Sequence, residues 1–319
     1  MGINMVDDIL SEIKQCEIDE RKIVEFDSEY DFMQLSVDLT IEVGQYVCLA
    51  ASILPGDRKA WSRDEAILGG HLIRLFKLIS AFLDQTCQRR REMTVVVGRM
   101  AFECIINLKY LLKNASPNLF TSYIHYSLKH EKRLRAEILA NIAKRGGEIL
   151  NIEQRMLRSI DKAFKTSEVA PDAVEPKNLK NWGGKNLFEK AKDVGLEEAY
   201  LAAIGGPSHS VHGNWQELLE YNIELTDGGF VPDLDWHTPR PQLGSAICYQ
   251  ALIVTIEYLE YLRYLSPSKI EEIIKKLEQL LARVILLDQL HEKFLTDKHK
   301  MANTGVDSDA AETAAQVTT

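Results

Sequence analysis

Thr94-Val-Val-Val-Gly-Arg-Met-Ala-Phe-Glu-Cys-Ile-Ile-Asn-Leu-Lys-Tyr-Leu-Leu-Lys113 decides the fold. Its residues Val95, Val96, Met100, Ala101, Cys104, Ile105, Leu108, Leu111 and Leu112 recur at intervals of three and four, the period of one helix face. So apolar a segment predicts a helix at the centre of a bundle. Arg99 and Glu103 interrupt it four residues apart, side by side on one face. Buried charge is costly unless paired, so these two either pair with each other or face a cavity.

Patterns of the same kind lie on both sides. Phe32, Leu35, Leu39, Val43, Tyr46, Val47, Ala50 and Ile53 predict a helix over 31–54 that Pro55-Gly56-Asp57 ends. Ser62-Arg-Asp-Glu65 is a capping box, opening a helix to about Cys87. Gly69-Gly70 inside that helix costs on the order of 1 kcal/mol per glycine relative to alanine. Close approach of a neighbouring helix, or a kink, would explain the pair. Arg89-Arg90-Arg91 marks the junction to the central helix.

Ser116-Pro117 is a cap followed by proline at the first helical position, and Gly146-Gly147 terminates the helix it opens at Lys144. Further helices are expected at 148–165, 186–193, 196–204, 245–265 and 266–290. Residues 166–184 and 227–244 hold glycines and prolines without an apolar period, and the second includes the polar cluster Asp233, Asp235 and His237. No stretch shows sustained period-two alternation between hairpin turns. The expected class is therefore all-α: a bundle of long antiparallel helices with two irregular insertions. Residues 1–30 read as an N-terminal extension, 31–296 as one helical domain and 297–319 as a disordered tail.

The 319 residues carry a net charge of −9, so whole-molecule electrostatics oppose nucleic acid and only a local basic patch would attract it. The five cysteines, Cys16, Cys48, Cys87, Cys104 and Cys248, form no CxxC pair and read as free thiols. No stretch approaches about 18 uninterrupted apolar residues, and Met1–Glu20 has no basic-then-apolar leader; the expected setting is the cytoplasm, without a membrane partner. Fingerprints for dinucleotides, P-loops, zinc proteases, the GxSxG elbow and di-iron carboxylates do not occur, and no cofactor or metal is expected.

The chemistry that remains centres on Gly205-Gly-Pro-Ser-His-Ser-Val-His-Gly-Asn-Trp-Gln216. Ser208, His209, His212 and Asn214 cluster around an expected helix start, which Ser208 or Ser210 would cap. Unpaired N–H groups and partial positive charge at such a start suit a phosphate. Histidine there can serve as general acid or base. Two histidines alone do not make a metal site.

Gly98-Arg-Met-Ala-Phe-Glu-Cys-Ile-Ile-Asn-Leu-Lys-Tyr-Leu-Leu112 resembles the Arg-x-x-x-Glu helix of the bacterial family known as domain of unknown function 5677. Asn181-Trp182 through Tyr200-Leu-Ala-Ala203, ending in Ser208-His-Ser-Val-His-Gly213, resembles its second block. The resemblance covers about 31–225 and carries over Arg99, Glu103, Ser208, His212 and Gly213. In overall look the family is similar to HEPN domains (higher eukaryote and prokaryote nucleotide-binding), helical bundles of toxin and phage-defence systems. Many of those are metal-independent ribonucleases with an Arg-x4-6-His motif. No histidine here follows an arginine at that distance.

What the resemblance implies is an all-helical protein that binds or cleaves RNA or a nucleotide. His212 would be the general acid/base, Arg99 would steady phosphate charge and Glu103 would orient the arginine. Ser208, His209, Asn214, Arg89 and Arg90 would complete the binding surface. An alternative is a non-catalytic interaction or scaffold protein in which Arg99, Glu103 and His212 are structural. A homodimer with its site across two chains is the third reading.

Overall fold

The apolar run around Arg99 folds as expected, but its helix begins at Arg91 rather than Thr94 and ends at Lys113. The computed structural model describes residues 9–54, 58–175, 180–263 and 267–316, with the side chains at 267, 268, 299 and 301–316 left aside. In chain order the helices before the first insertion are α1 (Glu20–Ile23), α2 (Glu29–Ala51), α3 (Arg63–Cys87), α4 (Arg91–Lys113), α5 (Pro117–Lys144) and α6 (Asn151–Thr166). After it come α7 (Leu187–Asp193), α8 (Glu197–Tyr200), α9 (Ser208–His212) and α10 (Trp215–Tyr221). Then follow β1 (Ile223–Thr226), β2 (Gly229–Pro232), α11 (Pro241–Arg263) and α12 (Pro267–Gln316). Among the described residues the fold is all-α apart from that one hairpin.

The starts follow from local chemistry. Ser62 accepts from the Glu65 amide while Glu65 accepts from the Ser62 amide at 2.8 Å, closing the capping box of α3. Ser116 Oγ accepts from the Leu119 amide, and Pro117 stands where a missing N–H costs nothing. Gly146 and Gly147, at φ 73° and 95°, turn the chain after α5. The Pro55-Gly56-Asp57 terminator and Ser266 lie outside the described residues, as do the side chains of the tail from 301 onward.

The core lies between α2, α3, α4, α11 and α12, with α11 packed against the other four. Leu72, Leu75, Ile105, Leu108, Leu252 and Leu277 are fully buried there. By length and hydropathy α3 would also pass as a membrane span, a property that core helices share; its Leu68, Leu72, Leu75 and Ile79 are buried in the bundle. A second apolar cluster sits between α5 and α6, closed by Val174. The N-terminal extension is tied into the bundle. Arg283 of α12 makes two 2.7 Å bonds to the carboxylate of Glu42 of α2, and the Cys16 amide and carbonyl bond to the same pair.

Both insertions carry more structure than their composition indicates. The first contains short 3₁₀ turns at Pro171–Ala173 and Trp182–Gly184, and it buries Val174 and Trp182. The second begins inside a hairpin that period-two reasoning does not detect. Ile223 pairs with Pro232 and Thr226 with Gly229 across the two-residue Asp227-Gly228 connection. Asp-Gly is a favoured hairpin link, but strands of four residues are too short for alternation to register. The rest of that insertion is held on the start of α4: Arg91 N donates to His237 O at 3.0 Å, and His237 lies 3.6 Å from Glu92 and 3.5 Å from Asp233.

Gly69 is explained by a contact other than a neighbouring helix. A Cβ there would stand 2.6 Å from the Trp61 ring, which folds back over its own helix, whereas a Cβ on Gly70 meets nothing. Gly70→Ala should therefore stabilise the protein by up to about 1 kcal/mol. Gly69→Ala should destabilise it by about 1–3 kcal/mol through overpacking. Paired urea melts check both signs.

Candidate functional site

Gly205-Gly206-Pro207 does not break the chain's helical path. Leu201–Gly205 forms a π turn, with the Gly206 amide reaching back to the Leu201 carbonyl at 2.8 Å. Pro207 has no N–H to donate, so the ladder slips by one residue and the helix continues through it at φ −62°. The Ser208 hydroxyl donates to the Ile204 carbonyl at 2.6 Å. Gly213, at φ 59° and ψ 44°, ends α9 in the left-handed region. Asn214, not Ser208 or Ser210, then caps α10 by accepting from the Glu217 amide at 3.2 Å. His209 and His212 thus sit at the end of one helix, not in the first turn of the next. The N-terminal anion site expected for them is not where they are.

The bundle does bring Arg99, Glu103 and Ser208 together. Arg99 Nε donates to Ser208 Oγ at 3.3 Å, and its guanidinium lies 4.0 Å from Glu103. His209 bonds through Nδ1 to the Asn214 amide on the surface. His212 is exposed, and among the described residues no hydrogen bond or ion pair joins it to Arg99 or Glu103. Arg89 and Arg90 stand apart from this group. They lie over the rings of Tyr30 and Trp236 at 5.6 and 5.2 Å. Nine residues of helix separate Arg90 from Arg99, a rise of roughly 13 Å.

Beside Glu103 opens a cavity of about 470 Å³ between α3, α4, α5 and the first insertion. Its walls include His71, Arg74, Asn107, Tyr123 and Trp182, none of which the sequence marks as a site. Trp182 meets Tyr123 edge-on at 5.1 Å and Tyr110 at 5.5 Å, so the ring is fixed by its neighbours. Lys190 of α7 is buried with Nζ 3.2 Å from the Trp182 ring centre. Burial pulls its ammonium down to about 7, against the opposing field of Glu103. Arg74 is exposed and, among the described residues, has no ion-pair partner.

Among the described residues, two polar atoms in these walls are buried without partners: His71 Nε2 and Asn107 Oδ1. Such atoms carry a desolvation cost that a ligand can relieve. The Cys104 thiol donates to the His71 carbonyl at 3.3 Å, and burial pushes it up to about 12, so it is no nucleophile at neutral pH. Burial, with Arg74 adding to it, pulls His71 down to about 4. Unfolded His71 therefore takes up a proton that the folded protein refuses, and its contribution to stability is lost as pH falls from about 6.5 to 4. Thermal melts should show this loss, and His71→Asn should flatten it.

All five cysteines are free thiols. Among the described residues no three His, Cys, Asp or Glu side chains converge as a metal site requires. His71 and Arg74 share a helix face at i and i+3, a signal available in the sequence. Trp182 lies in an aperiodic segment, and its signal is that it opens the second block of the family resemblance.

Comparison with known proteins adds one finding. No curated protein and no solved structure matches the chain. The model of a family of unknown function, DUF5677, matches residues 65–230. That is just over half of the 319 residues, and it spans the cavity walls from His71 to Trp182 together with the Ser208 segment. The chain therefore belongs to this family of unknown function, DUF5677.

Proposed function

We propose that this protein binds a nucleotide or a short single-stranded RNA segment in the cavity beside Glu103. The observation that carries the reading is the Arg74 guanidinium, without an ion-pair partner among the described residues, in one cavity wall with the Trp182–Tyr123 aromatic pair. A guanidinium recognises phosphate oxygens in bidentate fashion, and aromatic side chains stack on bases that are not paired in a duplex. His71 Nε2 and Asn107 Oδ1, both buried and unpaired, supply polar contacts for a base edge. The site is small and local, so it tolerates a net charge of −9 that a long duplex interface would not.

In the cleaving form of this reading His212 is the general acid/base, acting on a backbone that leaves the cavity over the Ser208 segment. A second reading, a non-catalytic protein, draws support from the Arg99–Ser208 bond, which engages the guanidinium in holding α9 to α4. The test is a fluorescein-labelled oligoribonucleotide followed by anisotropy and then on a denaturing gel. Saturable binding with cleavage that His212→Ala abolishes supports the enzyme. Binding without cleavage supports the non-catalytic form. No binding of RNA or of any mononucleotide overturns the proposal.

A further inference from the structure

His71 of α3 and Cys104 of α4 meet in the wall of the Glu103 cavity. The Cys104 sulfur lies 3.3 Å from the His71 carbonyl oxygen and 3.7 Å from its Nδ1. A thiol has a single hydrogen, and the carbonyl, which can only accept, takes it. Toward the ring the sulfur can then only accept, which assigns the imidazole proton to Nδ1. The ring is neutral at pH 7, since burial, with Arg74 adding to it, pulls it down to about 4. Edge-on contact with Tyr123 at 5.5 Å holds it in place. Nε2 is therefore a bare acceptor, buried without a partner among the described residues.

Asn107 stands on α4 one turn beyond Cys104 and presents the second buried acceptor of the wall. Its amide carries an acceptor and a donor side by side, so it can meet a base edge in either orientation. His71 has no such choice. The hydroxyls of Tyr123, Tyr126 and Ser127 in the same walls can donate or accept, and so favour neither pattern. Adenine and cytosine present an exocyclic amino group next to a bare ring nitrogen. One hydrogen of that group can go to Asn107 and the other to His71 Nε2, while the Asn107 amide donates to the ring nitrogen. Uracil and hypoxanthine present a keto oxygen next to a ring N–H instead. Asn107 can turn to meet that pair, but the keto oxygen then faces His71 Nε2 and both acceptors stay desolvated. We infer that His71 makes the cavity select a nucleobase whose exocyclic amino group neighbours a bare ring nitrogen, as in adenine and cytosine, over uracil and hypoxanthine. The inference rests on the nucleotide reading of this cavity and adds to it which base edge the cavity accepts.

The test measures, by calorimetry on the full chain, the affinities for the 5′-monophosphates of adenosine, inosine, cytidine and uridine. Sugar and phosphate are the same throughout, so the ratios adenosine over inosine and cytidine over uridine isolate the base edge. Both ratios should be at least about tenfold, the cost of leaving a buried polar group unpaired. His71→Gln, whose amide can turn to donate at the same place, should still bind and bring both ratios below about threefold. Lost packing alone would weaken all four ligands alike and leave the ratios as they were. Equal affinities within the pairs, a preference for the keto member, or unchanged ratios in a folded His71→Gln variant would overturn the inference while leaving the nucleotide site standing. If circular dichroism shows that variant unfolded, the two wild-type ratios decide alone. No binding of any of the four overturns the nucleotide reading itself, and the inference with it.

Discussion

Arg283→Met is expected to cost the fold about 3–5 kcal/mol. Glu42 is 1% exposed, and its charge is balanced by the two guanidinium bonds from Arg283 at 2.7 Å and one from the Cys16 amide at 2.8 Å. Without the arginine a buried carboxylate keeps only that amide. The same substitution frees the Cys16 carbonyl, so the N-terminal extension loses its anchor on α12. In urea the transition midpoint should drop with little change in slope. Adding Glu42→Leu should recover most of the loss, since apolar replacement of both partners of a buried pair is often near neutral. A single variant as stable as the wild type would show that the pair contributes nothing.

Arg74→Ala is expected to weaken nucleotide binding at least tenfold, a loss of about 1.4 kcal/mol. Because Arg74 is exposed, stability should change by no more than about 0.5 kcal/mol. Arg74 adds to the burial that lowers His71, so its removal should move that histidine back toward its ordinary value and narrow the acid-sensitive window from its lower end. A change in affinity together with that shift in the acid limb would tie both effects to one guanidinium. Trp182→Leu should weaken binding too. Because Trp182 is buried against Tyr110, Tyr123 and Lys190, that variant also loses packing and is the less specific test.

The bundle was legible because its signals are local. The Ser62 capping box, the Ser116-Pro117 start and the period of α4 each depend on neighbours within a few residues. The Arg99/Glu103 alternatives, pair or cavity, both hold: the two lie 4.0 Å apart and Glu103 lines the cavity. Gly205-Gly-Pro misled because glycine and proline usually punctuate. Here a π turn absorbs the missing N–H, and the histidines land one helix earlier than expected. The cavity was hidden for a different reason. It joins residues as distant as His71 and Trp182, and nothing in local spacing announces that α3 and the first insertion meet.

The most direct measurement of the central proposal is a calorimetric titration of the full chain with nucleoside 5′-monophosphates, repeated on Arg74→Ala. The expected result is saturable one-site binding by the wild-type chain and at least tenfold weaker binding by the variant. No binding heat from any nucleotide, or the same affinity in both proteins, would contradict the assignment of the Glu103 cavity as a nucleotide site.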